Sequence, residues 1–471
     1  MRCLHCLSNI LVCLSLILAG CSSAVHTSYV QPAMTIPHTW SSTSSRHTPY
    51  KDCWWLHFND PALNELISLA LRSNAELAVA ALRLQNALLQ AELADSNRLP
   101  SLQAEGSATY SRDLQRHQPE NTRFGASIFS SYAVDLWGKL SADAEAAHWQ
   151  AQATKEDLEN TVLALTGTTA SLYWQLRYLH KRIALSSASI EYTRRSLELA
   201  TVRYAAGAVS ILDLLEAERL LASQQADHAL LLQQQSEVEN ELNIVLDRPP
   251  QQSMIITRPA ADLLLTDIPE VEAGLPVHLL ARRPDLRAAE ARLRSTLAMS
   301  NAVKASFYPS LTLSGNLGQS SDELSRLLNN PIGTAIASLT LPFLQWRDMQ
   351  RSIRISDTEY EQASIGFRQT LYNALVEVEN GLSARQRYKE ESFELLKTLE
   401  AARRAEDFYE IRYRAGKTAL KSWLDAQESR RQAEIRITGN QLNQLQNHIT
   451  LIKALGGGTD EYSHCSTKTP E

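Results

Sequence analysis

Two hydrophobic periods take turns along this chain and predict its elements. From Leu102 to Ser111 the period is two. Leu102, Ala104, Gly106, Ala108 and Tyr110 fall on one face, and Gln103, Glu105, Ser107, Thr109 and Ser111 on the other, as in a strand with two unlike faces. A polar loop from Arg112 to Arg123 leads to a second alternating run at about Phe124 to Asp135. There Phe124, Ala126, Ile128, Tyr132 and Val134 share a face interrupted by Ser130. Two further strands are predicted at about 310–318 and 333–343, the first with Leu311, Leu313, Gly315 and Leu317 on one face, the second with Ala335, Ala337, Leu339, Leu341 and Phe343. Elsewhere the period is helical. Pro61 to Arg98 and Pro276 to Phe307 read as helices that Pro100 and Pro309 stop. Ser141 to about Tyr204 contains no proline, and Leu158, Val162, Leu165, Leu172, Leu176, Leu179, Ile183 and Ile190 keep a seven-residue repeat, with Thr169 and Ser186 as polar interruptions. A helix of about 65 residues is roughly 100 Å long. A second long helix is predicted at about Met349 to Tyr413. Return helices are predicted at about Ile211 to Leu246 and Leu420 to Leu455, the last continuing the heptad through Ile435, Leu442, Leu445, Ile449 and Ile452.

The chain also matches itself without a gap at an offset of 209 residues: Leu99-Pro100-Ser101-Leu102 falls on Tyr308-Pro309-Ser310-Leu311, Trp137 on Trp346, and Arg203 to Gly207 on Arg412 to Gly416. A period this long is not that of a solenoid; it reads as one half-unit written twice. Each Arg-Tyr-x-Ala-Gly marks a helix reversal, with Gly207 and Gly416 supplying left-handed C-caps.

The N-terminus changes the picture of where this chain works. Arg2 precedes an apolar run, Leu7 to Ala19, too short to span a bilayer well, and Leu18-Ala19-Gly20-Cys21 resembles a lipoprotein cleavage box. Residues 1–20 are then a signal peptide. Cys21 is acylated, and Ser22 after it implies sorting to the outer membrane. Residues 21–60 form an extended arm, 61–260 the first half-unit, 261–458 the second and 459–471 a polar tail. No later run of 18 apolar residues remains, so a membrane crossing would need a closed barrel. Strands of about 10 residues have the length a tilted membrane strand needs, but a membrane barrel takes at least about eight strands. Four per chain therefore means either half-buried hairpins in a soluble domain or several copies sharing one barrel. Cys53 and Cys465 remain as a potential pair or as free thiols.

Composition excludes several classes. Net charge goes from −6 to −7 when the segment carrying Arg2 is removed, and no basic block stands out, which argues against nucleic acid. No catalytic motif is present, and the 12 histidines are scattered. The expectation is no catalytic residue, no resident metal and no cofactor beyond the lipid on Cys21.

The order of motifs resembles the outer-membrane efflux factors, the TolC-like ducts, in the lipoprotein branch near multidrug and copper/silver exporters. The cleavage box is followed by Trp55-x-x-Phe58-x-Asp60-Pro61-x-Leu63, Leu99-Pro100-Ser101-Leu102, Asp135-Leu136-Trp137-Gly138-Lys139, the two Arg-Tyr-x-Ala-Gly turns, Arg283-Pro284-Asp285, Asp425-Ala426-Gln427 and Ala454-Leu455-Gly456-Gly457-Gly458. The resemblance covers Cys21 to about Gly458. It departs after the fourth strand, where Phe343-Leu344-Gln345-Trp346-Arg347 puts Trp346 where the family has a small turn residue. Asp247-Arg248 likewise stands where the family has a glycine before its proline.

The resemblance implies an α+β fold: long coiled-coil helices forming a periplasmic tunnel, and four strands per chain in a twelve-stranded barrel shared by a homotrimer. It implies an efflux duct for drugs, toxic compounds or metal ions, partnered by a periplasmic adaptor, an inner-membrane pump and outer-membrane lipid. It assigns Asp425 to the acidic ring at the tunnel mouth, Asp213 and Glu216 to the constriction in the first half, and Tyr413 to a position that holds the mouth shut by hydrogen bonds. Read without the resemblance, the three carboxylates are helix-start residues favoured by the helix dipole. The alternative for the whole chain is a lipid-anchored periplasmic coiled-coil spacer.

Overall fold

The computed structural model describes residues 26–41, 53–112, 121–250, 268, 276–327, 329 and 331–457. Cys21, Cys465, Gly458 and the tail 459–471 lie outside them. The elements run in the order α1 (Pro61–Ser73), α2 (Ala75–Ser96), β1 (Ser101–Ser111), β2 (Asn121–Val134), α3 (Lys139–Ala205), α4 (Ile211–Val245), a four-residue α5 (Leu279–Arg282), α6 (Pro284–Ala305), β3 (Ser310–Ser321), β4 (Ile332–Thr340), α7 (Trp346–Arg414) and α8 (Leu420–Ala454). The chain divides into two compact units: residues 26–34, 82–157 and 285–370 belong to the first, and residues 35–81, 158–284 and 371–457 to the second. No described helix is long and apolar enough to cross a membrane; that says nothing about the strands.

The first unit holds an antiparallel sheet in the order β1-β2-β3-β4. Ser101 faces Ser131, Val134 faces Leu311, and Ser310 faces Thr340. The turn between β2 and α3 explains one sequence motif. Asp135 accepts hydrogen bonds from Leu140 N at 3.0 Å and Ser141 N at 2.8 Å, capping α3. Trp137 Nε1 donates to Pro309 O at 2.8 Å, and its ring lies 5.0 Å from Tyr308. Gly138 takes φ +75, where a side chain would be strained. After β4 the turn is built differently. Pro342–Leu344 forms a 3₁₀ turn, no side chain caps it, and Trp346 opens α7 57% exposed. In the same unit the arm is pinned to α6: Thr27 and Asn301 exchange bonds of 3.1 and 3.2 Å, and Arg294 lies between the Tyr29 and Trp149 rings at 4.5 and 4.7 Å.

The second unit carries the largest core. Trp54, Trp55, Phe58, Leu63, Ile67, Trp174, Leu242 and Ile449 are buried together there, each worth about 1.5–3 kcal/mol in apolar burial. The seam predicted for the first long helix lies in this core at Leu165, Leu172, Leu176 and Leu179. Thr169 is buried within it and satisfies its hydroxyl on Leu165 O at 2.7 Å. Asp60 joins α1 to α3. Its Oδ1 caps α1 at Ala62 N (3.0 Å), and its Oδ2 accepts from Tyr173 Oη (2.7 Å) and Arg177 Nη1 (2.6 Å). Trp54–Phe58 is a 3₁₀ turn inside this core, not part of an extended arm. Cys53 beside it is disulfide-bonded.

Each of the two helices expected before a hairpin is broken. The stretch read as Pro61 to Arg98 stops at Ser73 and restarts at Ala75. Asn74 makes the break: Oδ1 accepts from Leu77 N at 2.9 Å while Nδ2 donates to Val245 O, at the end of α4, at 2.8 Å. The stretch read as Pro276 to Phe307 breaks at Arg283, whose Nη1 donates to Ala454 O, at the end of α8, at 3.0 Å. Both side chains satisfy a helix C-terminal carbonyl that would otherwise be orphaned. Strand ends also shift: β2 begins at Asn121, β3 continues to Ser321, and β4 ends at Thr340, where Leu341 and Pro342 leave the ladder.

Candidate functional site

Two places in the fold hold the candidate functional features. The first is the sheet. Because cross-strand partners share a face, the registers decide how the alternating rows combine. Ala104 stands opposite Ile128, and Ile128 opposite Leu317. Tyr132 stands opposite Leu313, and Leu313 opposite Ala337. One face is therefore apolar across all four strands. The other carries Gln103, Glu105, Ser107, Ser127, Asn316, Ser338 and Thr340, with Phe129, Ile332 and Ile336 as its large apolar members. The apolar face is not covered: Leu102 is 74% exposed and Leu339 63%. Among the described residues no further strand lies beside β1 or β4, and both are exposed along their length. An apolar exposed face opposite a polar one, on strands of 9 to 14 residues, is what a bilayer-spanning sheet requires.

The second place is the helical tip where α3 turns into α4 and α7 into α8. Gly207 and Gly416 take φ +69 and +70. Ala208 N closes on Arg203 O at 2.8 Å, and Lys417 N on Arg412 O at 2.9 Å, the left-handed cap that glycine permits. Tyr413 is buried and stacks on Trp423, with centroids 5.3 Å and planes 25° apart. The Arg203 guanidinium lies 4.5 Å over the Tyr413 ring, and its Nη1 donates to Tyr413 O at 3.3 Å. Ala200, Ala217, Leu420 and Leu424 close the cluster. Tyr413 Oη and Trp423 Nε1 are buried without a hydrogen-bond partner. Burial raises the Tyr413 hydroxyl above its ordinary range. Tyr413 is thus held through its ring, between the Trp423 indole and the Arg203 guanidinium.

The carboxylates behave unlike one another. Asp213 is the third residue of α4 and completes a capping box, accepting from Ser210 N at 3.2 Å while Ser210 Oγ accepts from Leu212 N at 3.2 Å. Glu216 accepts from Arg219 Nη2 at 2.9 Å, which holds its carboxyl below the usual range. Asp425 is exposed, and Lys421 Nζ donates to it at 3.1 Å. Sequence reasoning missed Trp423 and Arg203. The signal for the first was a tryptophan three residues into a return helix, with Leu214 at the same place in the other. Among the described residues no three His, Cys, Asp or Glu side chains group as metal ligands.

The sequence profile of the outer membrane efflux protein family matches residues 66–246 and 275–457. The pyoverdine export outer membrane protein OpmQ of Pseudomonas putida is 31% identical over 94% of this chain and 96% of its own. The cation efflux system protein CusC of Escherichia coli is 26% identical over 95% and 98%. Among solved structures, the open-state MtrE outer membrane channel of Neisseria gonorrhoeae superposes with a TM-score of 0.83 at 26% identity, over 92% of this chain and 98% of that one. These relatives are channels and not spacers, so the spacer alternative finds no support. The chain belongs to the outer membrane efflux protein family, and it is an outer-membrane channel of an efflux system.

Proposed function

We propose that three copies of this chain form one duct, each giving four strands to a twelve-stranded barrel and its long helices to a periplasmic tunnel. The observation that carries this reading is the open sheet. Among the described residues one chain leaves an apolar face uncovered and no strand beyond β1 or β4, and a sheet edge cannot remain open in lipid. A duplicated half-unit supports it too: β1 and β3 start at Ser101 and Ser310, α4 and α8 at Ile211 and Leu420, each pair 209 residues apart. Cys21 is acylated and tethers the arm. A periplasmic adaptor and an inner-membrane pump feed the duct. Cargo in the named relatives ranges from pyoverdine to cations; here it is drugs, toxic compounds or metal ions that the pump selects.

The tip is the gate. Asp425, exposed near the start of α8, is repeated three times around the mouth, where low-dielectric walls focus its field and favour cations. Glu216 lies at the matching place in the first half. Asp213 contributes mainly by capping α4. The Tyr413–Trp423 stack closes the tip, and its two buried unpaired donors, each costing about 1–3 kcal/mol, leave that closure poorly satisfied. A partner that binds the splayed helices better then opens it. In planar bilayers the purified protein is expected to give small, cation-selective currents. Asp425→Asn should raise conductance and reduce selectivity; unchanged currents would remove Asp425 from the gate.

A further inference from the structure

At Ser186, the second polar interruption of the α3 seam, the helical wall contains a cavity. Earlier in the seam Leu165, Leu172, Leu176 and Leu179 fill the core. After Leu185 the side chains shorten to Ser186, Ala188 and Ser189, and polar contacts take over. Ser186 Oγ lies 3.2 Å from His228 Nδ1. The buried Gln224 Oε1 accepts from Ser189 Oγ at 3.2 Å and from Thr193 Oγ1 at 3.0 Å. Short polar residues in place of leucines leave space that the surrounding helices do not close. Here that space is about 320 Å³ among α3, α4 and α8, all within the second unit.

Its lining has two characters. Leu185, Leu231 and Ile435 are apolar, and Arg182, Arg430 and Arg431 are cationic. Two of the arginines are matched by carboxylates. Arg430 Nη1 donates to Glu434 at 2.8 Å and its Nε to Glu406. Arg431 Nε donates to Glu428 at 2.7 Å, and its Nη2 lies 3.6 Å from Asp227. Arg182 differs. Its Nη1 donates to the Tyr178 hydroxyl at 2.8 Å, and among the described residues it meets no carboxylate. A half-buried guanidinium with an uncharged partner keeps both donors and charge for an oxyanion.

We infer that this cavity is a binding site for an organic monoanion, an aryl or alkyl carboxylate or sulfonate, whose acidic head pairs with Arg182 and whose body lies against Leu185, Leu231 and Ile435. The volume is at the lower end of small-molecule pockets. The head gains a charge-assisted pair, and the body gains by leaving water. An inorganic anion would leave the apolar lining unused, and a cation would meet Arg182 unfavourably. Every lining residue belongs to one chain, so the site does not depend on how many copies form the duct. A bound anion touches α3, α4 and α8 together and stabilises this arrangement of the helices.

Isothermal titration of the purified full-length protein in detergent, with protein-free micelles as the blank, tests the site. The probes are naphthalenesulfonate and, as a cation of similar shape, naphthylmethylammonium. The sulfonate should bind saturably, once per chain, and the ammonium should not. Arg182→Gln should weaken the sulfonate about tenfold, the loss of one charge-assisted hydrogen bond. Ala188→Leu adds bulk to the lining without removing a hydrogen bond and should abolish binding, with light scattering and circular dichroism unchanged. If that variant fails to fold, Arg182→Gln decides alone. No saturable sulfonate binding, equal binding of both probes, or sulfonate binding unchanged in either folded variant overturns the site. None of these results bears on the channel, which is read from bilayer currents.

Discussion

At the first reversal Gly207 turns the chain and Ser210, with Asp213, caps the helix that follows. At the second, Gly416 turns it the same way, but Ala419 stands at the cap position and no side chain caps α8. The backbone plan is shared because only a left-handed residue can end a helix so abruptly. The side chains are not shared. Where the first return helix has Leu214, Asp213 and Glu216, the second has Trp423, Ser422 and Asp425. One reversal uses a carboxylate to hold its own helix. The other leaves its carboxylate exposed and packs an aromatic stack beside the turn. Duplication thus preserves the turn and lets the residues beside it diverge.

The largest expected break in that comparison is Trp423→Ala. Removing a buried tryptophan costs about 3–5 kcal/mol in a core that cannot collapse. Trp423 packs on Tyr413 and, edge-on at 6.0 Å, on Tyr192. Hydrogen exchange over residues 411–424 should accelerate sharply, with larger bilayer currents. Leu214→Ala, at the matching place and only half-buried, should do so far less. Equal effects at the two sites would dissolve the contrast.

A second contrast between matched positions lies deeper in the helical core. His448 on α8 is buried, 3.4 Å from Arg385 and edge-on to Phe58 at 5.3 Å. The position 209 residues earlier is Glu239, hydrogen-bonded by Gln235 at 2.7 Å. Burial, with the Arg385 and His57 charges, lowers the His448 pKa to about 3. An unfolded imidazole takes up a proton below its ordinary value of about 6.5, and the folded one refuses it. Stability is therefore full above about pH 6.5 and falls with acidity toward pH 3, by up to about 1.4 kcal/mol per pH unit. From pH 7.5 to 5 that is about 2 kcal/mol. The Tm drop over this range should shrink in His448→Gln; the same drop in both proteins would refute the assignment.

How much of this could be read beforehand follows the range of each interaction. The four strands and two long helices were legible because their periods persist for ten to sixty residues. The turns at Gly207 and Gly416 were legible because one residue type meets a local demand. The break at Asn74 was not: the carbonyl that Asn74 serves, Val245 O, is 171 residues away. The arm's anchorage on Asn301, 274 residues from Thr27, and the ring stack at the tip share that character. At the reversals, the motif alignment named Asp213, Glu216, Tyr413 and Asp425 but did not foresee that Asp213 completes a capping box, nor that Tyr413 stacks on a neighbouring indole.

The smallest effect is the most discriminating for the reversals. Asp213→Ala removes half of a capping box and should cost about 1 kcal/mol locally. Its signature is faster hydrogen exchange in the first turn of α4, with little change in cation selectivity. Ser422→Ala, at the matching place, caps nothing and should leave α8 exchange as it was. The opposite pattern, selectivity lost on Asp213→Ala with α4 exchange intact, would move Asp213 from the scaffold to the pore. The two reversals would then have diverged in residue identity alone. As built, the backbone N–H of Ser210 already claims one Asp213 oxygen, and a carboxylate held there has less of its charge to offer a cation than Asp425, which meets the exposed Lys421.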